Sequence, residues 1–106
     1  MRGLRHDSEV LIRQIDGRLA TVRAGRELAD ITLAEQIADV LRRLVVDTAK
    51  ASAADRARVR AAVHFFVVRR DGRNERRPAR PVADDIRIVN KIVRELGRND
   101  LMVEPV

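Results

Sequence analysis

The sequence contains no cysteine, no tryptophan and no tyrosine, and its only aromatic residues are Phe65 and Phe66. Without cysteine, neither a disulfide framework nor a metal site with thiolate ligands can form. With so few aromatic side chains, the core has to be built from leucine, isoleucine, valine and alanine. This composition favours helices packed on helices over a β-sandwich, whose strands are usually rich in aromatic residues and threonine.

Long apolar runs are missing as well. No stretch approaches the roughly 18 apolar residues that a membrane-spanning helix needs. The first residues, MRGLRHDSEV, are charged where a signal peptide would be apolar. We therefore expect no membrane span and a cytoplasmic location. The length of 106 residues suits a single domain over residues 1–106, which can bury a core without disulfides or metal.

Residues that carry catalytic or metal-binding chemistry are few. The histidines are His6 and His64 alone, so no histidine pair with metal-ligand spacing exists. Ser8 and Ser52 stand where helix caps are expected, and capping explains them better than a nucleophilic role does. The five glycines are scattered, so there is no glycine-rich phosphate loop. We therefore expect a protein that is not an enzyme and that has no cofactor or metal.

Apolar residues recur at the spacing of an amphipathic helix in four stretches. The spacing predicts helices over residues 8–24, 32–48, 53–70 and 83–96, and therefore an all-α bundle of about four helices. The predicted core positions are Leu11, Ile12, Ile15, Leu19 and Val22 in the first helix, Leu33, Ile37, Val40, Leu41 and Leu44 in the second, Val59, Val63, Phe66 and Val67 in the third, and Ile86, Val89, Ile92, Val93 and Leu96 in the fourth.

Polar residues beside these stretches predict where the helices begin and end. Asp7 or Ser8 can cap the first helix, and Ser52 can cap the third. The sequence TLAE at Thr32–Glu35 has the pattern of a capping box, in which two side chains satisfy backbone N–H groups of the first turn. Gly97 is expected to end the fourth helix in the left-handed conformation.

The third stretch allows a second interpretation. Residues 63–74, VHFFVVRRDGRN, also resemble the first arm of a β-hairpin that turns at Asp-Gly. The return arm, RNERRPARP, has two prolines and no apolar alternation, so it could not cover the face of a sheet. We therefore predict a helix. Ala61, Phe65 and Val68 give it a second apolar face, which is typical of a central bundle helix or of an oligomer contact.

Positive charge is concentrated after the third helix. Residues 69–80 contain six arginines and only two acidic residues. Pro78 and Pro81 prevent the helix from continuing, so residues 71–82 are predicted to form a solvated basic loop. Arginines spaced along a loop can follow a phosphate backbone. GC-rich coding would also produce such a segment, without any function.

The sequence PVADDIRIVNKIVRELG, which follows the basic stretch, resembles the YkvA-like family of small bacterial helical proteins. In that family a proline-containing loop leads into an acidic pair that opens an amphipathic helix, and the matching residues here are Pro81, Asp84 and Asp85. The resemblance covers about residues 55–100. It implies a helical fold and an association with membranes in some members, and it implies little about biochemical role.

These features together predict a non-catalytic helical interaction or assembly protein that self-associates or binds a larger protein. The candidate interface residues are Phe65, Val68, Leu101 and Met102; the last two belong to the apolar tail LMVEPV, which either folds back on the bundle or contacts a partner. The alternative is sequence-tolerant nucleic-acid binding through residues 69–80. Its candidate contact residues are Arg69, Arg70, Arg73, Arg76, Arg77 and Arg80.

Overall fold

The computed structural model describes residues 2–25, 28–67 and 82–103. These residues form four α-helices: α1 (Arg2–Ala24), α2 (Leu28–Asp47), α3 (Ala53–Val67) and α4 (Val82–Glu95), followed by a short 3₁₀ helix at Asn99–Leu101. The predicted all-α fold is confirmed. The alternative hairpin is wrong for the part of its first arm that is described, because residues 63–67 lie in α3. None of the described helices is long and apolar enough to cross a bilayer.

Side-chain pairs between α1 and α2 show that these helices run antiparallel. Arg23, near the end of α1, pairs with Glu35, near the start of α2, at 2.7 Å. Asp16, earlier in α1, pairs with Arg42, later in α2. The second half of α1 therefore lies beside the first three quarters of α2 in the opposite direction.

Helix α3 runs parallel to α1. Asp7, in the first half of α1, pairs with Arg60 of α3 at 3.5 Å, and Arg18, in the second half, reaches Phe66. This is the arrangement expected when successive helices of a bundle alternate in direction, because the first and third helices are then parallel.

Helix α4 completes the alternation. Arg98, just after α4, pairs with Asp47 at the end of α2 at 2.9 Å, so α4 and α2 finish at the same end of the bundle. Helices α2 and α3 each pack against both α1 and α4. The end of α3 and the start of α4 therefore lie together at the other end, where residues 68–81 join them.

The core follows the predicted stripes. Most of the predicted positions are buried; Leu11, Ile12, Val40, Val67 and Leu96 are half-buried and pack against the buried set. The buried apolar residues are Ile15, Leu19, Val22, Leu33, Ala34, Ile37, Ala38, Leu41, Leu44, Val45, Val59, Ala62, Val63, Phe66, Ile86, Val89, Ile92, Val93 and Val103.

Two predicted helix starts are wrong. Helix α1 begins at Arg2, so Asp7 and Ser8 lie inside it and do not mark its start. Helix α2 begins at Leu28, so Thr32–Glu35 is an internal turn of the helix and not a capping box. Inside a helix the backbone N–H groups already bond to the preceding turn, which removes the need for a cap. Glu35 instead pairs with Arg23.

Other predicted ends are confirmed. The backbone N–H of Asp55 donates to Ser52 Oγ at 3.1 Å, which makes Ser52 the cap of α3. Gly97 has a φ of +71°, and two backbone bonds, from Gly97 to Arg94 and from Arg98 to Val93, close the end of α4 as a Schellman motif. Residues 68–81 lie outside the described residues, and Val82, predicted as loop, is the first residue of α4.

The two glycines Gly17 and Gly97 are expected to respond oppositely to alanine. Gly17 is exposed and lies far from both ends of α1. A methyl group at this position would meet no atom within 4 Å. Gly17→Ala should therefore raise the free energy of unfolding by about 0.5–1 kcal/mol. Gly97→Ala should lower it by about 1 kcal/mol, because its positive φ disfavours a side chain. Urea denaturation of both variants checks this, and the same sign for both would contradict it.

The chain after α4 folds back on the bundle. The Asn90 side chain donates from Nδ2 to the Val103 carbonyl at 2.9 Å, and the Val103 N–H donates to Asn90 Oδ1 at 2.8 Å. This pairing holds Val103 in the core, where it is 5% exposed. Of the two possibilities for the apolar tail, folding back on the bundle is the one seen as far as Val103.

Arg98 links the segment that follows α4 to the end of α2. It donates to Asp100 and to Asp47, and both bonds raise the pKa of Arg98. The hydrogen bond from Arg98 lowers the pKa of Asp100 below its ordinary value. Because the pKa of Asp100 is lower in the folded state than in the unfolded state, the stabilisation by the Arg98–Asp100 bond is fully present above the ordinary carboxyl pKa. It is lost as the pH falls through the pKa that Asp100 has in the folded state.

Candidate functional site

The predicted site residues are only partly within the described chain. All six arginines of residues 69–80 and Val68 lie outside it. Phe65 and Leu101 are half-buried, and Met102 is 37% exposed. Phe65 lies near the end of α3, whereas Leu101 and Met102 lie after α4, at the opposite end of the bundle. The structure therefore does not bring the described members of this set together as one surface.

The predicted second face of α3 is described only at Ala61 and Phe65. Ala61 is exposed and Phe65 is half-buried. Since Ala61 is small, the exposed surface there is not a large hydrophobic patch of the kind that marks an interface by itself. The exposed residues of α3 are alanines together with Arg58, Arg60 and His64.

A buried arginine holds the end of α3. Arg18 is 6% exposed, and its Nε donates to the carbonyl oxygen of Phe66 at 3.0 Å. Its guanidinium carbon lies 5.7 Å from the centre of the Phe66 ring, within range of a cation–π interaction. A cation bonded to a carbonyl in the last turn of the described helix is favoured by the helix dipole. Arg18 thus ties α1 to the point where α3 leads into the arginine-rich segment.

A buried aspartate marks the start of α4. Asp85 lies in the first turn of α4 and is fully buried. The first turn is where the helix dipole favours an anion. The fold thus places one buried polar side chain, Arg18, beside the end of α3 and another, Asp85, at the start of α4.

An open groove runs between α1 and α3. Its wider part, about 440 Å³, is lined by Asp7, Val10, Leu11, Gln14, Arg60 and His64. A narrower cleft shares Asp7, Leu11 and Arg60 with it and continues towards Ser8, Val45, Thr48, Ala49, Arg56 and Val59. We call these residues together the α1–α3 groove. The wider part is large enough for side chains of another molecule, and it is open to solvent.

The two walls of the α1–α3 groove differ in charge. Arg56, Arg60 and His64 repeat every four residues along α3, so they form one row facing α1. The α1 wall carries the acidic Asp7, and between the walls lie the half-buried Val10 and Leu11. The groove therefore combines an apolar floor, a basic wall and an acidic residue opposite it.

Metal binding finds no support in the described residues, which contain no group of three or more acidic or histidine side chains placed to hold an ion. No family model, no curated protein and no solved structure matches the chain. The resemblance to the YkvA-like family therefore stays a prediction that rests on Pro81, Asp84 and Asp85.

The sequence interpretation missed the burial of Arg18 and of Asp85, and it missed the α1–α3 groove. A signal for the two buried charges was present, since each shares a helical stripe with core residues. Arg18 is in step with Leu11, Ile15 and Val22, and Asp85 is in step with Val89, Ile92 and Leu96. The groove had no comparable signal, because its residues come together only when α1 and α3 pack side by side.

Proposed function

We propose that the protein is a non-catalytic helical interaction protein that self-associates. The observation that carries this proposal is the α1–α3 groove, whose floor leaves Val10 and Leu11 only half-buried between two parallel helices. Association with another copy would remove this apolar surface from water, which is the main favourable term in most protein association. The charges on its walls would then orient the partner.

The proposal is tested by the mass of the full chain in solution. Sedimentation equilibrium over a range of concentrations should show a species of twice the 12.0 kDa monomer mass. Val10→Asp, which places a charge on the groove floor, should shift the chain to monomer. A matched control is Val46→Asp, because Val46 is 61% exposed on the outer face of α2; this variant should associate like the wild type. A strict monomer at every concentration would refute the proposal.

A second candidate function is sequence-tolerant nucleic-acid binding. It is supported by the six arginines of residues 69–80, which join two helix ends that the bundle holds in place. Positive side chains that contact phosphates release counterions, so affinity falls steeply with salt.

Binding of a random-sequence DNA and a random-sequence RNA should be measured across a series of salt concentrations. Replacing Arg73, Arg76 and Arg77 by glutamine should flatten the salt dependence by about two to three in slope. A control with the same loss of charge is a triple glutamine variant at the exposed residues Arg13, Arg43 and Arg94. Absence of binding at low salt would eliminate this second function.

A further inference from the structure

We propose that a second copy of this chain docks on the α1–α3 groove about a twofold axis parallel to the helices. In this arrangement α1 of each copy lies over α3 of the other, and Asp7 of each copy pairs with Arg60 of the other. The inference rests on the proposed self-association and adds to it the surface, the symmetry and the pairing residues.

The parallel course of α1 and α3 makes this geometry possible. A half-turn about an axis that runs along the groove exchanges the positions of α1 and α3 and leaves each residue at its own height. Asp7 and Arg60 lie at one height, because they are 3.5 Å apart within the chain. After the half-turn, each therefore faces the other residue of the second copy, as an isologous contact requires.

The state of the Asp7–Arg60 pair within one chain supports an exchange between copies. Its distance of 3.5 Å exceeds the roughly 2.7–2.9 Å of a well-formed charge-assisted hydrogen bond. The side chains are 53% exposed for Asp7 and 63% exposed for Arg60. Each group thus has room for a further partner of opposite charge, and two copies would close a ring of alternating charges.

The apolar floor of the groove would be covered by a second copy. Val10 and Leu11 of both copies would meet at the axis and cover each other. Gln14 and His64 would lie beside them as polar neighbours. Gly17 of α1 and Ala61 of α3 are exposed and lack long side chains, so nothing on these positions keeps the helices of two copies apart.

The test is a mixing experiment with two charge-reversal variants, Asp7→Arg and Arg60→Asp. Each variant alone has like charges at every contact between copies, so its dimer dissociation constant should rise roughly tenfold or more. In an equimolar mixture, the arginine at position 7 of one variant faces the aspartate at position 60 of the other, and both contacts are restored. Sedimentation equilibrium should therefore show a dimer in the mixture and monomers in each variant alone.

A matched control reverses a charge pair on the other side of α3. Asp55 and Arg58 pair at 3.0 Å within α3, so Asp55→Arg and Arg58→Asp should leave the dimer unchanged. Circular dichroism confirms that each variant is folded; if a reversal unfolds the chain, Asp7→Asn and Arg60→Gln replace it, and each should weaken the dimer severalfold. If the wild type forms dimers and none of these groove variants weakens them, the docking geometry is wrong while self-association stands. A monomeric wild type overturns both.

Discussion

Replacing Phe66 by alanine is expected to lower the free energy of unfolding by about 3–5 kcal/mol, more than any other single apolar truncation in the described core. Phe66 is fully buried and is the largest of the fully buried side chains. Its loss leaves a cavity in the core and also removes the ring that faces the Arg18 guanidinium. Urea denaturation followed by circular dichroism measures the effect.

The adjacent Phe65 is the control for this prediction. It has the same side chain in the same helix, but it is only half-buried. Phe65→Ala should therefore cost about 1–2 kcal/mol, because less apolar surface is returned to water and no closed cavity forms. Equal losses for the two variants would show that α3 does not present Phe66 to the core in the orientation described.

Replacing Arg18 by methionine is expected to lower the free energy of unfolding by about 2–4 kcal/mol. Methionine keeps most of the buried aliphatic volume, but it removes the hydrogen bond to the Phe66 carbonyl and the cation over the ring. The damage should be local as well, with faster amide hydrogen exchange in the last turn of α3.

Arg13→Met is the matched control for Arg18, because Arg13 lies on the exposed side of the same helix. A surface substitution of this kind should change stability by no more than about 0.5 kcal/mol. Buried charges in some proteins can be replaced by apolar residues without loss or even with a gain in stability. An Arg18→Met variant as stable as the wild type would place this protein among them and would contradict the role assigned to Arg18.

The helices and their buried faces were predictable because each helix buries one continuous stripe of apolar residues. The first residues of the helices were less predictable. The pattern at Thr32–Glu35 satisfies the rules for a cap, yet the upstream residues from Leu28 continue the helix and the pattern becomes internal. A capping pattern indicates that a helix can begin at a residue, but it does not indicate that the preceding residues are non-helical.

The buried charges mark a different limit. Arg18 and Asp85 lie on core stripes, but their charge argues for solvent, and only the packed structure shows that Arg18 has a carbonyl to bond. The α1–α3 groove could not be predicted for another reason. It depends on α1 and α3 being parallel neighbours, with Asp7 paired to Arg60, a residue that is distant in the sequence. Neither helix specifies that arrangement by itself.

Disulfide trapping tests docking at the α1–α3 groove most directly. The chain has no cysteine of its own, so Val10→Cys gives a single thiol at the proposed twofold axis, and Gln36→Cys gives one on the exposed side of α2 as its control. Under mild oxidation, Val10→Cys should form a covalent dimer rapidly, because the two copies of this position meet at the proposed axis, while Gln36→Cys should stay monomeric. Equal rates of cross-linking for the two variants, or none for Val10→Cys, would contradict association through this groove.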